Sequence, residues 1–279
     1  MIAGTSLLVE GGGMRGFYSG GVLRRLLDEG LDFGYVIGIS SGALCATAYV
    51  GGVVDPDFAE LAGGARSFLN PRGFLRPTEG ILRTDPLIRC LVRDACPGAL
   101  RSRARLLIPA TAADDGELVW WDQGDCASPE DLRTRVVASA SIPFLMPLAR
   151  VGGRVFADGG IRDSIPIDHA LADGIDRHVL VLSRPRGYRK GPQHLELYLR
   201  HVLRPYPALK RAMLLRHVHY NESVELAERL EDEGRAFVFR PERTNLGRFE
   251  YSPAKFEADF RAGYEAAGKR MAELRAFLS

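Results

Sequence analysis

Ser40 stands in Gly38-Ile39-Ser40-Ser41-Gly42, with a glycine two positions before it and another two positions after it. That spacing fits a sharp strand-to-helix turn, which exposes a serine hydroxyl at the positive end of a helix dipole. The flanking glycines centre on Ser40 and leave Ser41 to offer a backbone N–H or a capping hydroxyl. Upstream, Gly11-Gly12-Gly13-Met14-Arg15-Gly16 closes one strand-like run and opens a helical one. A glycine-rich loop at a helix start presents backbone N–H groups and is a ready anion cradle. An exposed serine and an anion cradle are two of the parts that acyl transfer requires, and a base is the third.

Histidine is the usual base. The six here are His169, His178, His194, His201, His217 and His219, and none stands in a glycine-flanked turn. Asp158 does: it ends a short strand-like run and is followed by Gly159 and Gly160, which leave its carboxylate uncrowded. An aspartate near pKa 4 is a weak base. Desolvation beside the apolar segment around Phe144 and Met146 would strengthen it.

Other readings of the same residues exist. Gly11–Gly16 also matches the dinucleotide pattern G-x-G-x-x-G, which requires an acidic residue at the end of the second strand to hold a ribose. Here that strand ends in Ile39-Ser40, and Asp32 precedes it, at the wrong end. A non-catalytic nucleotide- or lipid-binding module is one alternative, and a histidine-dependent triad esterase is another. Against the latter, the serine turn comes after only two strands and the glycine loop after only one, unlike the α/β-hydrolase order.

The ordered blocks G-G-G-x-R-G, G-x-S-x-G and D-G-G, with the alanine- and proline-rich run Ala138–Pro147 ahead of the aspartate, resemble the patatin-like phospholipases. The likeness extends over about residues 5–185. It implies a mostly parallel central sheet with helices on both faces, and a Ser–Asp dyad without histidine that hydrolyses acyl esters of phospholipids and other lipids. It implies Ser40 as nucleophile and Asp158 as base. Gly11, Gly12, Gly13 and Arg15 would form the oxyanion hole, and Gly38, Gly42, Gly16, Gly159 and Gly160 would shape the turns. No cofactor or metal is implied. Ser164 departs from the pattern, standing where the family often has asparagine.

Positioning these residues is the work of an α/β chain. Strands are expected at Thr5–Glu10 (a buried edge-to-core strand), Phe33–Ile39, Arg105–Ala110, Glu117–Trp121, Arg154–Ala157, His178–Ser183 and Ala236–Arg240. Asp114-Asp115-Gly116 predicts a hairpin between the third and fourth. Helices are expected at Phe17–Glu29, Ala43–Val50, Asp57–Phe68, Pro86–Arg93, Pro129–Ser139, Ile167–Ala172, Leu195–Leu203, Ala208–His219, Glu222–Glu233 and Pro253–Phe277. We read one domain, an α/β core to residue 185 with a mainly helical C-terminal part over 186–279.

The composition, 46% hydrophobic and 26% charged with net charge +2, is globular and gives no field that implies nucleic acid. Cys45, Cys90, Cys96 and Cys126 show no metal or redox spacing and read as free thiols in a reducing compartment. No signal peptide or membrane span is visible, which points to the cytoplasm. Arg184–Arg216 carries nine basic residues against Glu196, interleaved with Tyr188, Tyr198 and Tyr206. Such a surface suits peripheral contact with anionic lipid. Substrate identity and oligomeric state are not encoded in any motif.

Overall fold

Strand β1 (Ile2–Val9) carries fully buried side chains on both of its faces, so it must lie inside a sheet covered on both sides. The computed structural model describes residues 1–58, 70–74, 79–82, 92–192, 202–244, 246–247 and 252–279. Within them, β1 lies between β2 (Phe33–Gly38) and β7 (Arg177–Val181), parallel to both. It is a central strand, not the edge-to-core strand expected. Strand β3 (Arg105–Ala112) continues the parallel set beyond β2, and β8 (Ala236–Phe239) continues it beyond β7.

Three antiparallel strands complete an eight-stranded mixed sheet: β4 (Leu118–Asp122), β5 (Ala149–Val151) and β6 (Arg154–Ala157). The expected β3–β4 hairpin is present. Strand β5 was not legible in sequence, being three residues long and joined to β6 by Gly152 and Gly153, both at positive φ.

The register around β3 is what builds the site. Leu107 pairs with Ile37 of β2 and with Asp122 of β4, so β2 and β4 lie on opposite edges of β3. Thr111 pairs with Leu118 of β4 and Ala157 of β6, which puts β6 on the same edge as β2. Strand β2 runs parallel to β3 and β6 runs antiparallel to it. Their ends therefore approach each other head to head beside Pro109 and Ala110. The residues that leave those ends are Ser40 and Asp158.

Helices cover both faces. Strand residues alternate between the two sides, with Leu7, Val9, Val36, Val179 and Val181 facing one core and Leu8, Ile37, Leu180 and Val238 the other. The first core is closed by α1 (Gly16–Asp28), α2 (Ser41–Val50), α3 (Cys96–Arg101) and α4 (Pro129–Ala140). Ser128 caps α4, accepting a hydrogen bond from the Asp131 N–H. The second core is closed by α5 (Ile167–Ala172) and α6 (Pro207–Asp232).

Two C-terminal expectations are corrected. Ala208–His219 and Glu222–Glu233 form one continuous helix, α6; Tyr220 and Asn221 do not break it, and Tyr220 is buried. Pro253–Phe277 is instead two helices, α7 (Pro253–Lys269) and α8 (Met271–Leu278). The chain leaves helical geometry at Arg270, whose guanidinium turns inward to the Val238 carbonyl at 2.6 Å and stacks on Phe237. The C-terminal part is no loose appendage: β8 extends the sheet, and α7 lies against α1 where a Cβ on Gly21 or Gly263 would run into the facing backbone. All but the last two residues of the expected helices at Pro86–Arg93 and Leu195–Leu203, and all but the start of Asp57–Phe68, lie outside the described residues, as does Cys90. No helix among the described residues is long and apolar enough to cross a membrane.

Candidate active site

The turn after β2 is forced by its glycines. A Cβ on Gly38 would stand 2.6 Å from the Ala46 Cβ, and one on Gly42 would stand 2.7 Å from the Glu10 carbonyl oxygen. Both are closer than real side chains tolerate, so the chain can enter α2 this tightly only with glycine at both positions. Between them Ser40 takes φ 57° and ψ −125°, a backbone region that non-glycine residues occupy only under constraint. The Ser40 N–H donates to Ser139 Oγ at 3.1 Å, anchoring the turn to the end of α4.

Asp158 leaves β6 and meets this turn. Ser40 Oγ donates to Asp158 Oδ2 at 2.5 Å, while the Gly160 N–H donates to Asp158 Oδ1 at 2.7 Å. Both carboxylate oxygens are thus engaged, and Asp158 is 1% exposed. Its own backbone is pinned on two sides: its N–H donates to the Ser141 carbonyl, and its carbonyl accepts from Thr111 Oγ1 at 2.9 Å. Gly159 is required because a Cβ there would lie 2.5 Å from the Pro109 oxygen. Ser164 closes the loop by donating from Oγ to the Gly160 carbonyl at 2.9 Å.

The described histidines all sit elsewhere. The His169 ring stacks on Trp120 at 3.6 Å, and His178 is buried against Ser6 at the far end of β7. His217 bonds the Leu214 carbonyl, and His219 pairs with Glu222. His194 and His201 lie outside the described residues. Cys45 lines the wall of the site, but burial pushes its thiol up to about 12, which leaves it no nucleophile.

The glycine loop differs in detail from a row of three free amides. The Gly11 N–H reaches the Ser164 carbonyl at 3.4 Å, and the Gly12 N–H donates to Ser41 Oγ at 2.8 Å. Among the described residues, the Gly13 and Ser41 N–H groups have no protein acceptor, and both border the space in front of Ser40. Gly13 is at φ 62°, which aims the loop, and Gly16 packs on Ser41 so closely that a Cβ would lie 2.8 Å from the serine Cβ. The Arg15 side chain turns to Ser183 Oγ at 3.5 Å. Burial holds its pKa below the usual arginine value, and the neighbouring Arg184 adds to that shift.

Two spaces open on Ser40. One is an apolar cavity of about 110 Å³, walled by Phe17, Leu44, Ala48, Val54, Ile142 and Met146. The other is a narrow polar cleft bounded by Glu10, the Gly11–Gly13 backbone and a set of arginine, lysine and tyrosine side chains. Sequence reasoning missed Ser139, Thr111, Glu10, Arg216 and Tyr220. Ser139 lies in the quoted alanine- and proline-rich run, which was a signal of sorts. Arg216 comes from the middle of α6, far along the chain, and only the fold brings it to the Gly160 carbonyl. The basic stretch itself divides: Arg186 pairs with Glu231 and Asp232, and Arg189 with Glu228, so those charges are neutralised locally.

Residues 7–171, which hold the serine turn, the glycine loop and the aspartate loop, match the family model described as patatin-like phospholipase. The chain belongs to the patatin-like phospholipase family. A second match, to a domain of unknown function (DUF6363), covers residues 206–279, and so includes α6, β8 and both last helices. An uncharacterized NTE family protein of Mycobacterium tuberculosis (strain ATCC 25618 / H37Rv) is 32% identical over 198 residues, covering 67% of this chain and 51% of that protein. A second uncharacterized NTE family protein, of Mycobacterium bovis, is 29% identical over 180 residues, covering 62% of this chain and 29% of its own length. The patatin-like chain here thus spans about half the length, or less, of these relatives. Among solved structures, VipD from Legionella pneumophila aligns over 96% of this chain and 67% of its own, with TM-score 0.52 and 14% identity, a likeness of fold.

Proposed function

We propose that this patatin-like protein is a serine acyl hydrolase that cleaves acyl ester bonds of phospholipids or other lipids through a Ser40–Asp158 dyad. The observation that carries the reading is the 2.5 Å hydrogen bond from Ser40 Oγ to the buried Asp158 carboxylate, at the N-terminus of α2 and beside an apolar cavity suited to an acyl chain. In the reaction, Ser40 Oγ attacks the ester carbonyl as its proton passes to Asp158 Oδ2. The Oγ–C bond forms, and the carbonyl oxygen takes up negative charge. The Gly13 and Ser41 N–H groups and the α2 dipole stabilise that charge. The C–O bond to the alcohol then breaks, and the alcohol leaves with the proton from Asp158. Water attacks the acyl-enzyme and gives a proton to Asp158, and Ser40 recovers it as the free acid departs. No step calls for a cofactor. Lipid access is by peripheral contact, to which the exposed Arg204 and Arg211 contribute attraction for an anionic surface.

The test is hydrolysis of a short-chain nitrophenyl ester by the unmodified chain, Ser40→Ala, Asp158→Asn and single alanine variants of all six histidines, with folding checked by circular dichroism. The proposal expects activity to vanish with Ser40 and Asp158 and to survive every histidine change. An essential histidine would replace the dyad with a triad. An inert unmodified protein on this ester and on phospholipids would favour a binding module.

A further inference from the structure

Two polar residues interrupt the inward stripe of α6. The stripe is apolar at Met213 before them and at Val224, Ala227 and Leu230 after them, yet its middle is Arg216 and Tyr220. They stand four positions apart, on one face of the helix and about one turn from each other. Arg216 is 8% exposed and Tyr220 is 3% exposed, so a guanidinium and a phenol are both taken out of water. A buried polar group requires a hydrogen bond, and each finds one in a different loop of the site. Arg216 Nε donates to the Gly160 carbonyl at 2.6 Å, in the loop that holds Asp158. The Tyr220 hydroxyl donates to the carboxylate of Glu10, the residue from which the glycine loop departs.

Both anchor points are themselves fixed. The Glu10 N–H donates to the Val181 carbonyl at 3.0 Å, and Glu10 Oε2 accepts the Ser183 N–H at 2.5 Å. The Gly160 N–H donates to Asp158 Oδ1, and the Gly160 carbonyl accepts from Ser164 Oγ as well as from Arg216. Ser40 borders the same cleft as Glu10, Arg216 and Tyr220. By contrast, the hydrogen bond that joins the two loops directly, from the Gly11 N–H to the Ser164 carbonyl, is long at 3.4 Å. Arg216 and Tyr220 both lie beyond the patatin-like match and inside the DUF6363 segment.

We infer that Arg216 and Tyr220 are positioning residues that form a brace, through which the C-terminal segment sets the distance between the Asp158 loop and the glycine loop. On the acyl-hydrolase reading, the proton acceptor sits on the first loop and the Gly13 oxyanion donor on the second. Both must be in register around Ser40, and a displacement of about 1 Å costs on the order of 100-fold in rate. The catalytic consequence of the brace rests on that reading; its role as a structural tie does not depend on turnover.

The test is a set of substitutions in the full chain. Methionine and glutamine at position 216 both follow the path of the arginine side chain as far as Nε, but only glutamine keeps an N–H donor there. On a short-chain nitrophenyl ester, Arg216→Met and Tyr220→Phe should each lose at least about tenfold in kcat with KM within about twofold, while Arg216→Gln should stay within about threefold of the unmodified chain. The Arg216→Met/Tyr220→Phe double variant should be no more than about threefold slower than the slower single one, because a brace cut at one end no longer sets the distance. Hydrogen exchange read by mass spectrometry needs no turnover. Exchange should quicken by at least about threefold in residues 158–164 of Arg216→Met and in residues 10–16 of Tyr220→Phe. Losses that multiply in the double variant, a glutamine variant as slow as the methionine one, or kcat within about twofold in both single variants would each overturn the brace and leave the dyad standing. An unmodified chain that hydrolyses no ester, with both loops loosened in the variants, would keep the brace and overturn the hydrolase reading. Unchanged exchange in both loops would overturn the brace whatever the kinetics. Should Arg216→Met fail to fold, Tyr220→Phe decides alone, by its kcat and by exchange in residues 10–16.

Discussion

Replacing Ser40 by glycine should give a more stable protein than replacing it by alanine, the reverse of the ordinary order. Both substitutions remove the hydroxyl that donates to Asp158 Oδ2, so that loss cancels in the comparison. What differs is the backbone. Ser40 is held at φ 57°, and such a position costs a residue with a Cβ about 1–3 kcal/mol. Glycine escapes that cost but loses about 0.4–1 kcal/mol through the greater freedom of its unfolded chain. At the middle of those ranges the difference leaves Ser40→Gly about 1.3 kcal/mol more stable than Ser40→Ala. For a chain of this size that is about 2 °C in Tm. Denaturant unfolding followed by circular dichroism, with equal m-values required of both variants, measures it directly. An alanine variant as stable as the glycine variant would refute the strained-turn argument at Ser40.

Three further outcomes follow from the same geometry. Gly42→Ala should cost about 3 kcal/mol or more on denaturant unfolding, since its Cβ is driven against the Val9 and Glu10 carbonyls, and a loss below about 1 kcal/mol would contradict that packing. Burial pushes His178 down to about 4, below its ordinary 6.5, so the folded state resists its protonation. Its contribution is intact above pH 6.5 and is lost as the pH falls to 4, by up to about 3 kcal/mol, so His178→Gln should flatten that part of the stability–pH curve. Asp163 acts in the opposite sense: burial pushes it up to about 6, and its ionisation disfavours folding above that pH. Asp163→Asn should therefore stabilise the protein by up to about 3 kcal/mol at pH 8, with the gain disappearing by pH 4.

The parts of the site that depend on local geometry were legible in the sequence. Glycines two positions either side of Ser40 announce a turn that no other residue fits, and the structure has both pressed against backbone or side-chain atoms. The glycine loop was legible as a loop but not in its bonding. Which amides are spent depends on Ser164 and Ser41, and their hydrogen bonds come only with the fold. Strand β5 was too short to show a period, and the break at Arg270 comes from a contact with β8 rather than from a glycine or proline at the break itself. The pairing of Ser40 with Asp158 could be expected only from the order of motifs. Its physical cause is that β2 and β6 share one edge of β3, a matter of sheet register that no stretch of sequence displays. The polar cleft was the least legible, because Arg216 and Tyr220 read as ordinary residues of a polar helix until α6 is laid across the aspartate loop.

The central claim, that Ser40 is a nucleophile activated by Asp158, is tested most directly by trapping it. Intact-protein mass spectrometry after reaction with a serine-directed fluorophosphonate should show a single adduct, and peptide mapping should locate it on Ser40. In Asp158→Asn the labelling rate should fall by about 100-fold or more, the scale of a lost general base. An adduct on another residue, or labelling that proceeds at the same rate without the Asp158 carboxylate, would contradict the account.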